Sequence, residues 1–178
     1  NAFMKGLSSK NIISVIKHFP GHGSSTNDSH LGFVDVTNTY KDEELLPFRA
    51  LAKTADAVMV AHVTNTNIDK DYPATLSKTF IQDILRNDLG FEGVVISDDM
   101  SMGAIVENYT LENAIVLAVN AGNDILVVSN NGSLPYDENL PYKVRKILVD
   151  AVNDGRIEMA TIDGAYARIQ KLKKDFKI

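Results

Sequence analysis

Ile12-Ile13-Ser14-Val15-Ile16, running straight into Lys17-His18-Phe19-Pro20-Gly21-His22-Gly23, sets the pattern on which the rest of the chain is built. The first five residues are apolar and β-branched apart from Ser14, and they read as a buried strand. The seven that follow form a loop bent by glycine and proline. They hold two of the chain's 4 histidines, and a third, His30, closes the nearby Asp28-Ser29-His30. Imidazoles take and give protons near neutral pH. Loops carried by a rigid scaffold are where binding and catalysis concentrate.

Working outward, the same strand-then-polar pattern returns. Ala57-Val58-Met59-Val60-Ala61 runs into His62, and Gly93-Val94-Val95-Ile96 ends at Ser97-Asp98-Asp99. Ile125-Leu126-Val127-Val128 opens into Ser129-Asn130-Asn131-Gly132. Helices are expected between them. Asp42-Glu43-Glu44 puts acids in a first helical turn, where the macrodipole favours them, and Leu45, Phe48, Leu51 and Ala52 supply the apolar stripe. Ser77 is placed to cap a helix carrying Phe80, Ile81, Ile84 and Leu85, with Gly90 just past its end. A more apolar helix spans Thr110 to Ala121 and stops at Gly122. Two more close the chain, over 141–153 and 162–176. Residues 1–10 read as the tail of a helix that continues upstream, because they show neither an initiator Met nor a signal-peptide pattern.

Four strand–helix units with short strands, apolar on both faces, predict a parallel sheet covered on both sides. Polar residues at every strand's carboxyl end suit both open α/β sheets and eight-stranded α/β barrels. A full barrel typically takes about 250 residues; the four units in this chain of 178 residues would make half of one.

Composition narrows the function. With 44% hydrophobic and 23% charged residues the chain is globular rather than disordered. A net charge of -5 argues against nucleic acid as a partner. The absence of cysteine removes disulfides, thiolate metal sites and cysteine nucleophiles. No apolar run reaches membrane-spanning length, so no membrane partner is expected.

The candidate chemistry lies in two places. In Asp28-Ser29-His30 a carboxylate two residues from a histidine can bond one ring nitrogen and free the other for proton transfer, or the pair can be an ordinary Asx-type turn. In Asp98-Asp99 neighbouring side chains point to opposite sides of the strand. Only one therefore faces the mouth of the sheet, as a possible carboxylate nucleophile, while the other caps the next segment or is solvated. Lys17 and His18 can hold hydroxyl or phosphate groups, or be plain strand-end residues. His22 and His62 read better as structural histidines. The histidine spacing matches no named zinc motif, so no metal is expected. Gly90–Gly93 precedes a strand and lacks the glycine-rich phosphate pattern, so dinucleotide binding is not expected either.

Lys17-His18-Phe19-Pro20-Gly21-His22-Gly23, then Asp28-Ser29-His30, then Ser97-Asp98-Asp99-Met100-Ser101-Met102 resembles glycoside hydrolase family 3, in particular its bacterial β-N-acetylglucosaminidases of peptidoglycan recycling. Pro73-Ala74-Thr75-Leu76-Ser77 and Pro47-Phe48-Arg49-Ala50 share the likeness, which runs through essentially the whole chain. The resemblance implies an α/β fold of the (β/α)8 TIM-barrel type, with residues 1–178 as the C-terminal half of the catalytic barrel and its N-terminal half absent. It implies retaining hydrolysis of a terminal β-linked N-acetylglucosamine, with muropeptide-type saccharides as the partner, in the bacterial cytoplasm, with the periplasm still open. Asp98 matches the nucleophile, His30 the acid/base and Asp28 its orienting partner. Lys17 and His18 match residues that hold sugar hydroxyls, and no cofactor is required. A β-glucosidase of the same family, or an inactive carbohydrate-binding fragment, are the alternatives. The loop Gly23-Ser24-Ser25-Thr26-Asn27 departs from the many relatives that carry an acid and a threonine after the glycine. Half a barrel exposes two strand edges and an apolar face, which predicts self-association of the isolated chain.

Overall fold

The computed structural model describes residues 1–131 and 135–178. Four parallel strands form one sheet in the order β1-β2-β3-β4. They are β1 (Val15–Phe19), β2 (Ala57–Val60), β3 (Val94–Asp99) and β4 (Ile125–Val127). Among the described residues there are six α-helices: α1 (Ala2–Ser8), α2 (Leu46–Leu51), α3 (Gly103–Val106), α4 (Leu111–Ala121), α5 (Leu140–Asn153) and α6 (Met159–Phe176). The expected strand–helix order therefore holds.

The boundaries differ in instructive ways. The first strand was expected over 12–16, but it begins at Val15 and continues through Lys17 and His18 to Phe19. Ser14 is held short of it, its N–H and hydroxyl both donating to Asp56 Oδ2 at 2.8 and 2.7 Å. Phe19, completely buried, pairs with Val60 and pulls the strand onward. The peptide bonds Lys17–His18 and Phe19–Pro20 are cis. In the same way β3 extends past Ile96 to include Ser97, Asp98 and Asp99.

The acidic turn at Asp42 forms a 3-10 helix over Asp42–Leu45 before α2 takes over. The segment expected as an α-helix after Ser77 is wound as a π-helix, Thr79–Asp88, closed by a bond from Leu89 N–H five residues back to Ile84. It still buries Phe80, Ile81 and Leu85, and the Ser77 hydroxyl accepts from Phe80 N–H at 3.2 Å. Thr110 caps α4 by accepting from Asn113 N–H, and Gly122 ends it at φ +113°. The short helix α3 carries no signal in the sequence beyond its apolar residues.

Paired residues in a parallel sheet share a face, and successive residues alternate. Val58 and Val95, in register, pack with Phe19, Phe48, Phe80, Ile81, Leu85 and Phe91 in the main core. Truncating a fully buried ring such as Phe80 costs about 3–5 kcal/mol. The next row, Met59–Ile96–Ile125, is also in register but only half-buried. The expectation of cover on both sides therefore fails for this row. Val15 on edge strand β1 is 40% exposed, and all of edge strand β4 is half-buried.

At the amino end of β4 Asp124 is fully buried and accepts from Arg86, Arg168 and the Val95 N–H at 2.7–2.9 Å. This ties α6 and the π-helix to the sheet, and removing one partner of such a pair costs about 3–5 kcal/mol. The carboxyl ends of the strands are left free of this brace.

Candidate active site

The sheet's register brings residues from separate stretches to one rim. Phe19 pairs with Val60, and Val60 with Ser97, so His18, Asp98 and the buried His62 all come to the carboxyl end of the sheet. His18 Nε2 stands 3.9 Å from Asp98 Oδ2, with 32% and 17% of the two side chains exposed. That is ion-pair spacing, too long for a hydrogen bond. Burial lowers the His18 pKa, Asp98 opposes this, and Lys17, His22 and His30 lower it further. The ring is thus held toward its neutral form. His22 meets it edge-on, with ring centroids 6.1 Å apart. Lys17 is exposed, and among the described residues it makes no ion pair.

The two neighbouring aspartates have separate surroundings, as strand alternation requires. Asp98 lies on the Met59–Ile96 side, and among the described residues its Oδ1 accepts only from Asp99 N–H, at 2.9 Å. Asp99 Oδ1 accepts from Ser101 N–H at 3.0 Å, the Ser101 hydroxyl at 2.6 Å and Ser129 N–H at 2.9 Å. Burial pushes the Asp99 pKa up, but these donors outweigh it and hold it below its ordinary value. Asp99 is a brace and Asp98 the carboxylate left available.

His62 is 1% exposed and satisfied on both sides, which bears out its structural reading. Its Nε2 lies 2.9 Å from the Asp99 carbonyl and its Nδ1 2.8 Å from the Thr75 hydroxyl. A carbonyl only accepts, so Nε2 carries the proton. Burial lowers this pKa too, and the Thr75 hydroxyl beside Nδ1 donates to the Ala61 carbonyl at 2.6 Å.

The loop after β1 is anchored at its base. Tyr40 donates to the Pro20 carbonyl at 3.0 Å, and Glu44 Oε2 accepts from Gly23 N–H at 2.8 Å. At the tip Asp28 Oδ1 lies 2.7 Å from His30 Nδ1 and also accepts His30 N–H at 2.9 Å. The backbone bond, then the side-chain bond, hold the Asp28 pKa below its ordinary value. These side chains are 57% and 73% exposed. Among the described residues no hydrogen bond or ion pair joins His30 to Asp98. Nor does any cluster of three or more His, Asp or Glu stand ready to hold a metal ion.

Residues 1–172 match the family model described as "Glycosyl hydrolase family 3 N terminal domain". The chain belongs to glycosyl hydrolase family 3. The β-hexosaminidase of Tolumonas auensis is 42% identical over 137 residues, covering 74% of this chain and 40% of that protein. A β-hexosaminidase of Xylella fastidiosa is 40% identical over 131 residues, 71% of this chain and 39% of its own length. Among solved structures, a family 3 β-N-acetylglucosaminidase from a Paenibacillus species superposes with TM-score 0.87 at 35% identity, over 98% of this chain and 33% of that one. The β-N-acetylglucosaminidase of Thermotoga maritima gives TM-score 0.80 at 32% identity, over 94% and 36%. The chain thus spans about two fifths of the length of the curated relatives it matches. The matched domain is called N terminal; the narrower placement in the C-terminal half of a barrel goes beyond that match.

Sequence reading overlooked the braces around this family 3 rim. Asp99 and Ser101 are two residues apart, the spacing of an Asx-type turn, so that contact could have been anticipated. Nothing in the spacing signals Ser129, Thr75 or Glu44, which reach their partners only through the fold. Of the stretch after β4, Gly132 lies outside the described residues.

Proposed function

We propose that this chain carries the catalytic groups of a retaining glycoside hydrolase that removes terminal, non-reducing β-linked N-acetylglucosamine from peptidoglycan-derived saccharides. One observation carries the reading: a lightly bonded Asp98 at the rim, His18 3.9 Å away, and an exposed Asp28–His30 pair on the loop leaving the neighbouring stretch of β1. The names of the family 3 relatives supply the sugar.

In the first step an Asp98 carboxylate oxygen bonds to the anomeric carbon as the bond to the departing oxygen breaks, through an oxocarbenium-like transition state. His30 gives that oxygen a proton from Nε2, since Nδ1 is engaged by Asp28. Water then attacks the anomeric carbon, His30 takes back a proton, and the Asp98 carboxylate is released. The configuration is retained. Imidazole side chains are common proton shuttles in catalysis near neutral pH. Asp28 orients the ring, and Lys17 and His18 hold sugar hydroxyls. The expected setting is the bacterial cytoplasm, on the resemblance alone.

The half-buried row Met59–Ile96–Ile125 and the two sheet edges support the reading of an unclosed barrel. We assign the missing cover to further βα units of the same polypeptide, four to complete the eight, in line with the two-fifths coverage of the relatives. By itself the chain should self-associate and turn over little or no substrate; a monodisperse, fully active 178-residue monomer would sink this assignment.

The test is hydrolysis of nitrophenyl N-acetylglucosaminide and nitrophenyl glucoside by the longer protein. Preference for the first supports the reading, and preference for the second favours a β-glucosidase. If Asp98→Ala leaves sugar binding unchanged and wild type shows no turnover, the chain belongs to a carbohydrate-binding module.

A further inference from the structure

The loop that carries Asp28 and His30 touches the segment that follows Asp98 at Gly103, and the contact is backbone on backbone. Gly103 N–H donates to the His30 carbonyl and Ala104 N–H to the Ser29 carbonyl, each at 3.3 Å. A Cβ added at Gly103 would stand 2.9 Å from Gly32 N, His30 O and Leu31 C. All three are main-chain atoms, so no side-chain rotation relieves the clash and the loop itself must shift. Gly103 has no left-handed φ, so its backbone conformation does not demand glycine; the close approach does.

Both sides of this contact are held. Ser29 is buried, with its hydroxyl 3.3 Å from His22 Nε2. Between Asp98 and Gly103, Met102 N–H donates to the Asp99 carbonyl at 3.0 Å and the Asp99 carboxylate is bound to Ser101 and Ser129. Residues 29–32 are therefore pinned through their backbone, while the Asp28 and His30 side chains stay exposed.

We propose that Gly103 is a positioning residue for proton transfer. Its missing side chain lets residues 29–32 dock beside the end of β3, and this docking sets where the Asp28–His30 pair stands relative to Asp98. The inference rests on the hydrolase reading for its catalytic consequence, but the docking can be measured without it.

In the longer protein, amide exchange and ¹H–¹⁵N shifts test the contact directly. Gly103 and Ala104 amides should be protected in the wild type. Gly103→Ala should move the Ser29, His30 and Leu31 signals while leaving Val58 and Val95 in place, whereas Gly6→Ala, which meets nothing within 4 Å, should move none of them. In the longer protein, Gly103→Ala should lower kcat/KM by about tenfold or more for substrates with a poor leaving group, which need a proton from the acid. It should act far less on a dinitrophenyl glycoside, whose leaving group needs none.

Equal losses on both substrates would make Gly103 merely structural and overturn the proposal, as would unprotected amides or unmoved loop signals. A wild-type protein without glycosidase activity would sink the hydrolase reading instead, with the exchange and shift data still deciding the docking.

Discussion

Asp99 and Asp28 are both aspartates beside the candidate chemistry, and both have pKa values held low by hydrogen bonds, yet they live in opposite settings. Asp99 is sunk into the end of β3, with its carboxylate bound by Ser101 and Ser129 and its carbonyl by His62. Asp28 stands on an exposed loop tip, and among the described residues its carboxylate binds only the histidine two residues away. The Asp99 carboxylate is held by partners from separate segments, whereas the Asp28 carboxylate is held within its own turn, on a loop whose backbone docks at Gly103. In the proposed mechanism the carboxylate that must meet one carbon atom stands on the sheet, and the proton shuttle that must serve a departing group and then a water is an exposed side chain on the docked loop.

The most damaging way to probe this division is Asp98→Ala. In the longer protein it should cut turnover by on the order of 10³-fold or more, while circular dichroism stays unchanged because among the described residues the Asp98 carboxylate accepts only its neighbour's N–H. Next comes His30→Ala. A loss of about 10²-fold or more on poor leaving groups, shrinking on activated ones, is expected from removal of a general acid. Equal losses on both classes would break the assignment of loop and rim to separate tasks.

Stability should respond in the opposite order. Asp99→Ala strands the Ser101 and Ser129 donors and should cost about 1–3 kcal/mol in denaturant unfolding at pH 7. Asp28→Asn should leave the unfolding midpoint unmoved while slowing turnover, since nothing outside its own turn depends on it. A smaller effect separates charge from shape. The folded chain holds the Asp99 pKa below the ordinary 3.8. Its stabilisation is therefore complete above that value and is lost as pH falls through the folded one. The gap between wild type and Asp99→Asn should stay constant from about pH 7 to pH 5 and close below it; a gap unchanged at low pH would mean the carboxylate charge is irrelevant.

Much of this was legible in the chain itself. Runs such as Ala57–Val60 and Ile125–Val127 stand out because a buried strand must be apolar on both faces. Asp28-Ser29-His30 is visible because its partners are near in sequence, and the resemblance to family 3 assigned it a role before any geometry was known. The missed features are non-local. Glu44 meets Gly23, Thr75 meets His62 and Gly103 meets Leu31 only because strands and helices place them together.

The sequence by itself determined the strand–helix order, the parallel sheet and the residue types gathered at its carboxyl edge, because hydrophobic period and strand-end polarity are local properties. Only the tertiary structure decided which aspartate of the pair is the brace, that His62 is a buried strut, and that the Asp28–His30 loop docks through Gly103. Those outcomes depend on register and close approach, and a chain specifies these only once distant segments have packed against one another.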